Sequence, residues 1–252
     1  MVYTSLTEAP RNLKEGIDWL IALKETCPEN NLLPMGVALY DLFVDKPVGK
    51  REQLPSLEKV KNISKEFLEQ EVLEYQPFVQ GLLDRFSNPT TMAGLSAESG
   101  KNFKSEYEKV IKARGAKPET IAEKLGKVVA SCERFLKSVK IPDQYESAYS
   151  SEATWEASCA KDPEACAVLL VGIAPMLYAG LRSLQVTSHA AFRQGRDSWE
   201  EEHLEDVLRV VGYKEPECRV EMSGPRVNTV LRRVDLGIFT VIHDLAGVLG
   251  FY

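Results

Sequence analysis

Apolar residues recur at helical spacing along most of the chain. Leu13, Ile17, Leu20 and Ile21 share one face, with Trp19 beside it. That spacing predicts a first helix from about Pro10 to Glu25, with Pro10 in its first turn after polar Thr7 and Glu8. Cys27-Pro-Glu-Asn-Asn reads as its end. A second helix follows from near Leu33, burying Met35, Leu39, Leu42 and Phe43, and Asp45-Lys-Pro-Val-Gly breaks it. Ser56 is placed as the N-cap of a third helix, with Lys59 where a full capping box has Glu. Its stripe is Val60, Ile63, Phe67, Leu68 and Val72. Pro77 should end or kink it at Gln76, and Phe78, Leu82, Leu83 and Phe86 continue the apolar face.

The second half repeats the pattern. Phe103, Tyr107, Val110 and Ile111 mark one helix, closed by Gly115. Pro118 opens another, whose stripe Ile121, Leu125, Val128, Val129, Cys132, Phe135, Leu136 and Val139 is the cleanest in the chain. Ile141-Pro142 ends it. Ser198 and Glu201 form a capping box ahead of Leu204, Val207, Leu208 and Val211, and Gly212 suits the position after the helix. Residues 213–223, with Pro216 and Cys218, read as a loop. A last helical region carries Val227, Val230, Leu231 and Val234, then Ile238 to Leu249. No stretch alternates apolar and polar residues long enough to predict a strand. The expectation is an all-α multi-helix bundle, 1–252 as one domain, with long loops. The longest loop is 87–102, SNPTTMAGLSAESGKN. The polar connector 142–152 is the only weak boundary.

One stretch departs from amphipathic periodicity: Cys159 to Leu181, CAKDPEACAVLLVGIAPMLYAGL. Ala165 to Leu181 is uncharged, at the lower limit of the roughly 17–25 residues that cross a bilayer. Gly172, Pro175 and Gly180 interrupt it and Arg182 closes it. A buried central helix near 163–190, kinked at Pro175, gives the surrounding amphipathic helices a shared core, which a membrane span would not. Cys159 and Cys166 would stand roughly 10.5 Å apart on one continuous helix, beyond the about 7 Å that a disulfide tolerates. They can bridge only if the chain folds back at Asp162-Pro163, where Asp suits an N-cap and Pro the first turn. Two buried thiols is the other reading, and both stay open.

Composition narrows the chemistry. With 252 residues, 44% of them hydrophobic and 27% charged, the chain is globular in character. A net charge of -6 and a pI near 5.3 argue against gripping nucleic acid, which needs a basic face. No signal peptide or lipidation motif is visible. Five cysteines are an odd number, so one is left outside any set of intrachain pairs. His189, His203 and His243 sit in no metal-ligand spacing, and His203 in EEEHLED reads as solvated and salt-paired. There is no nucleophile elbow, P-loop or dinucleotide fingerprint. Asn62-Ile-Ser64 matches a glycosylation sequon but falls inside a predicted helix. The residues therefore point to no catalytic, cofactor or metal site.

Three segments carry a resemblance: SLTEAPRNLKEGIDWLIAL at 5–23, CAKDPEACAVLLVGIAPMLYAGLRSL at 159–184, and GYKEPECRVEMSG at 212–224 followed by the terminal DLAGVLGFY. Together, and in this order, they resemble the variant erythrocyte surface antigens of Babesia parasites. The resemblance implies a surface-exposed or exported antigen of the infected red cell, varying antigenically and adhering to host cells. A host-cell receptor or antibody would be its partner. Family members carry a membrane anchor near the C-terminus, and this chain shows none, so tethering does not carry over. Under this resemblance Cys159 and Cys166 become a disulfide, since the surface is oxidising. The loop at Ser87, Asn88, Thr90, Thr91, Ser96, Glu98 and Lys101 becomes a candidate exposed variable site. The alternative is an intracellular helical scaffold that binds partners without catalysis.

Overall fold

A computed structural model describes residues 2–25, 28–45, 55–87, 117–195, 198–214, 218, 222–232 and 237. The fold is all-α. In chain order the helices are α1 (Leu13–Lys24), α2 (Pro28–Asp45), α3 (Pro55–Leu68), α4 (Glu71–Glu74), α5 (Pro77–Ser87), α6 (Pro118–Val139), α7 (Trp155–Ser158), α8 (Pro163–Gln194), α9 (Trp199–Val210) and α10 (Gly224–Leu231). Extended pairing among the described residues is limited to two isolated bridges, Tyr3 with Tyr149 and Lys140 with Cys218. Residues 103–115, the end of the predicted last helix, and all but Ser87 of the 87–102 loop lie outside the described residues.

The uncharged stretch forms the centre. Asp162 caps α8, accepting a hydrogen bond from Ala165 N at 3.2 Å, and Pro163 occupies its first position. α8 continues through Pro175 as one helix, and its apolar run is buried. α1, α2, α3, α9 and α10 all pack against it. A continuous core cluster joins these helices to α6.

α8 crosses α3 closely at Gly172. A Cβ there would stand 2.5 Å from Cγ1 of Val60 in α3. The missing side chain lets the two backbones approach closely enough for buried Ser64 Oγ to donate to Gly172 O at 2.6 Å. Ser64 is the hydroxyl of the Asn62 sequon, and it is committed to the core.

Helix boundaries depart from the periodicity in four places. α1 starts at Leu13, outside Pro10, because Asn12 is the stronger cap: its side chain accepts from Glu15 N at 3.0 Å. The Glu15 carboxylate reaches back to Arg11 N at 2.8 Å. Pro28 opens α2, so Pro-Glu-Asn-Asn starts a helix where a stop is expected. Pro55 begins α3, which places Ser56 inside the helix and not at its cap. α3 stops at Leu68, well before Gln76, and Pro77 starts α5. The earlier break turns Leu73 fully into the core and leaves Val72 half-buried. Ser198 caps α9, accepting from Glu201 N at 3.2 Å. The Glu201 carboxylate does not close the capping box. It accepts from Gly224 N at 2.8 Å and seats the start of α10 against α9.

Residues 142–152 are bound into the body. Asp18, on α1, accepts from Tyr145 OH at 2.5 Å and from Ala148 N at 2.9 Å. Lys14 Nζ donates to Glu146 O at 2.8 Å and lies 3.8 Å from the Asp18 carboxylate. Ala148 and Tyr149 belong to the same core as α1 and α8. Gly212 follows α9 with φ +97°, a left-handed conformation that favours glycine.

Candidate functional site

The chain doubles back between α7 and α8. Thr154 caps α7 and Cys159 ends it. After Ala160 and Lys161, Asp162 starts α8, and Cys166 sits one turn inside. The Cα atoms of Cys159 and Cys166 are 5.9 Å apart and the sulfurs are at bonding distance, 1.95 Å. Both residues are fully buried. The fold-back required for a bridge is therefore present. Cys132 and Cys218 are buried elsewhere in the core, and Cys27 lies outside the described residues. Burial pushes the Cys132 thiol up to about 12.

The other sequence-derived candidates are scattered. Ser87 is exposed, but as the last residue of α5 and not as a loop residue. Asn88, Thr90, Thr91, Ser96, Glu98 and Lys101 lie outside the described residues. His189 is exposed on α8. His203 stacks on the exposed Trp199, with centroids 5.1 Å apart and planes 6° from parallel. Among the described residues it makes no ion pair, contrary to the salt-paired expectation. His243 is outside the described residues. Among the described residues, no group of three or more His, Cys, Asp or Glu is placed to hold a metal ion.

A cleft of about 710 Å³ opens beside the cysteine pair. Three elements wall it: the N-terminal segment 3–11, the first half of α3 and the first two turns of α8. Val60, Ile63, Val168 and Leu169 supply its apolar side. Lys59 stands exposed on the α3 wall, while Asp162 and Glu164 are exposed on the α8 wall. Glu8 and Arg11 stand on the N-terminal wall.

The N-terminal wall is rigidly held. Tyr3 N donates to Ala148 O at 2.8 Å, and Ser150 N donates to Tyr3 O at 2.9 Å. The Trp19 indole donates to Leu6 O at 2.8 Å, and Leu6 N donates to Ser158 Oγ at 2.9 Å. Tyr149 OH donates to Glu8 O at 2.6 Å. The Glu8 carboxylate accepts from Thr4 N and Ser5 N at 2.9 and 3.1 Å. Tyr3 OH donates to Glu15 at 2.9 Å. Burial, and then the hydrogen bond to Glu15, push the Tyr3 phenol up to about 12.

No protein-family model matches the chain, and neither does any curated protein or solved structure compared with it. The cleft was not foreseeable from periodicity. Val60 and Ile63 register as core-stripe positions, and the charged residues around them register as ordinary solvated helix faces. Only tertiary packing brings residues 3–11, 56–63 and 162–169 together.

Proposed function

We propose that this chain is a surface-exposed or exported variant antigen of an intraerythrocytic parasite, acting as a helical partner-binding domain in host-cell adhesion and immune evasion. The carrying observation is the buried Cys159 and Cys166 pair at bonding distance. Persistent structural disulfides belong to oxidising compartments and are rare in reducing ones. The resemblance of segments 5–23, 159–184 and 212–224 to variant erythrocyte surface antigens supports the same assignment. Its partner would be a host-cell receptor or an antibody, and no catalytic step is part of the proposal.

Antibody labelling of intact infected red cells tests the display. Signal on unpermeabilised cells is expected, and its absence would remove the assignment. An intracellular helical scaffold is the second reading, and the thiol of Cys132, buried and unbridged, is the observation that favours it. Differential alkylation of the chain from infected cells separates the two. Protection of Cys159 and Cys166 until reduction supports export, whereas alkylation of both in denaturant without reductant supports the scaffold.

A further inference from the structure

We propose that the bridge between Cys159 and Cys166 is a redox latch for the N-terminal strap, residues 3–9. Oxidised, it pins the strap to the body; reduction by a dithiol frees the strap while the central bundle stays folded. The inference rests on the cysteine pair and not on where the chain is displayed.

The bridge acts through α7. This helix is a single turn, Trp155–Ser158, and one turn is too short to persist in water by itself. Cys159 follows it directly and ties it to Cys166 on α8. α7 also holds two distant segments. Ser158 Oγ accepts from Leu6 N at 2.9 Å, and the Leu6 carbonyl accepts from the buried Trp19 indole at 2.8 Å. Trp155 N donates to the Glu25 carboxylate at 2.6 Å. The strap, the end of α1 and α8 therefore meet at one short helix whose covalent anchor is the bridge.

Three features favour a local release once the bridge opens. Glu25 has φ +51°, in the left-handed region that residues with a Cβ rarely adopt. Letting go of Trp155 N allows that backbone to relax. Among the described residues, the strap's backbone pairs with the body at one isolated bridge, Tyr3 with Tyr149, and not along a ladder. The bundle, in contrast, does not depend on α7, because α1, α2, α3, α9 and α10 pack on α8 directly.

Both cysteines are fully buried, so reduction follows unwinding of α7 and not global unfolding. One thiolate of the dithiol attacks a cysteine sulfur, breaking the S–S bond and releasing the other cysteine as a thiolate that takes up a proton. The second sulfur of the dithiol, deprotonated, displaces the first cysteine, which is protonated in turn. The cysteines gain two electrons and two protons, and the dithiol leaves as a cyclic disulfide. A chain held in reducing surroundings therefore carries a free strap, and oxidation closes it.

The test is amide NMR of the full chain before and after dithiothreitol without denaturant, with thiol alkylation to count the opened cysteines. In the reduced chain the Tyr3 and Leu6 signals should lose their native shifts and their heteronuclear NOE, while those of α6 and of α8 beyond Cys166 keep both. Replacing Cys159 and Cys166 with Ser should give the same spectrum. Ser158→Ala, with the bridge intact, removes the acceptor for Leu6 N and should move the Tyr3 signal part of the way to its reduced position. Native Tyr3 and Leu6 signals after reduction overturn the proposal. Loss of the α6 and α8 signals together with those of the strap overturns it in favour of a general staple. A bridge that dithiothreitol leaves intact in the folded chain overturns the switch, and an unmoved Tyr3 signal in Ser158→Ala overturns the route through α7. None of these readouts involves the cell surface, so the latch and the display of the antigen can fail separately.

Discussion

Asp18 is only 2% exposed, yet it holds three partners: the Tyr145 hydroxyl, the Ala148 amide and the Lys14 ammonium. A buried carboxylate costs free energy unless its lone pairs are satisfied, and here they are. Removing it takes away the carboxylate that stands 3.8 Å from the largely buried Lys14 ammonium. Asp18→Ala is expected to cost about 3–5 kcal/mol, read as a lower urea midpoint. Asp18→Asn should cost less, because the amide oxygen still accepts from Ala148 N. This residue was invisible in the hydrophobic pattern. Lys14 and Asp18 look like solvated positions on α1, and their partners lie far along the chain. By contrast, the Ser198 and Asp162 caps could be read directly, since a cap bonds only three residues ahead. Asn12 and Glu15 carried the same local signal, but Pro10 competed with it for the helix start.

Helix existence was readable and helix ends less so. The α6 stripe and the uncharged α8 run both match their helices, because packing against a core imposes the 3.6-residue period over many turns. The break between α3 and α5 left no such trace: the need to bury Leu73 decides it, and that need is tertiary. The crossing of α8 over α3 turns on a single atom. Gly172→Ala puts a methyl 2.5 Å from Cγ1 and 2.7 Å from Cβ of Val60. Val60 is β-branched and cannot rotate away freely. The substitution should cost about 1–3 kcal/mol. Adding Val60→Ala should recover part of that loss, and a double-mutant cycle measures the coupling. The link between α7 and α8 carries a separate expectation. Replacing both Cys159 and Cys166 with Ser should lower stability by about 2–3 kcal/mol, since the bridge closes a short loop. Wild type treated with reductant in denaturant should then match the variant.

At the scale of the molecule, several buried acids keep their protons in the folded state. Tyr3 and Cys132 are pushed up to about 12, and burial raises Tyr149 and Tyr213 as well. Their folded values lie above the unfolded ones of about 10 for phenols and 8.5 for a thiol. The native state therefore binds more protons than the unfolded state in alkaline solution. The stability from these groups is complete below about pH 8 and declines as pH rises toward the folded values. Urea midpoints should stay level through neutral pH and fall steadily between about pH 9 and 12. The overall architecture was the part most open to sequence reading, because one apolar helix needs amphipathic neighbours to cover it. α8 is long and apolar enough to cross a membrane, but 83% of its most apolar window is buried in the fold. The cleft was the least open part, since its three walls come from distant segments.

The strap formed by the first residues has a consequence in time. Leu6 bonds to Ser158, 152 positions away, and Asp18 bonds to Ala148, 130 positions away. During synthesis the first helix emerges long before either partner exists. Contacts this distant in sequence form late and slowly. The N-terminal wall of the cleft therefore assembles only after residues 148–158 have left the ribosome, so the cleft cannot form while the first helices stand alone.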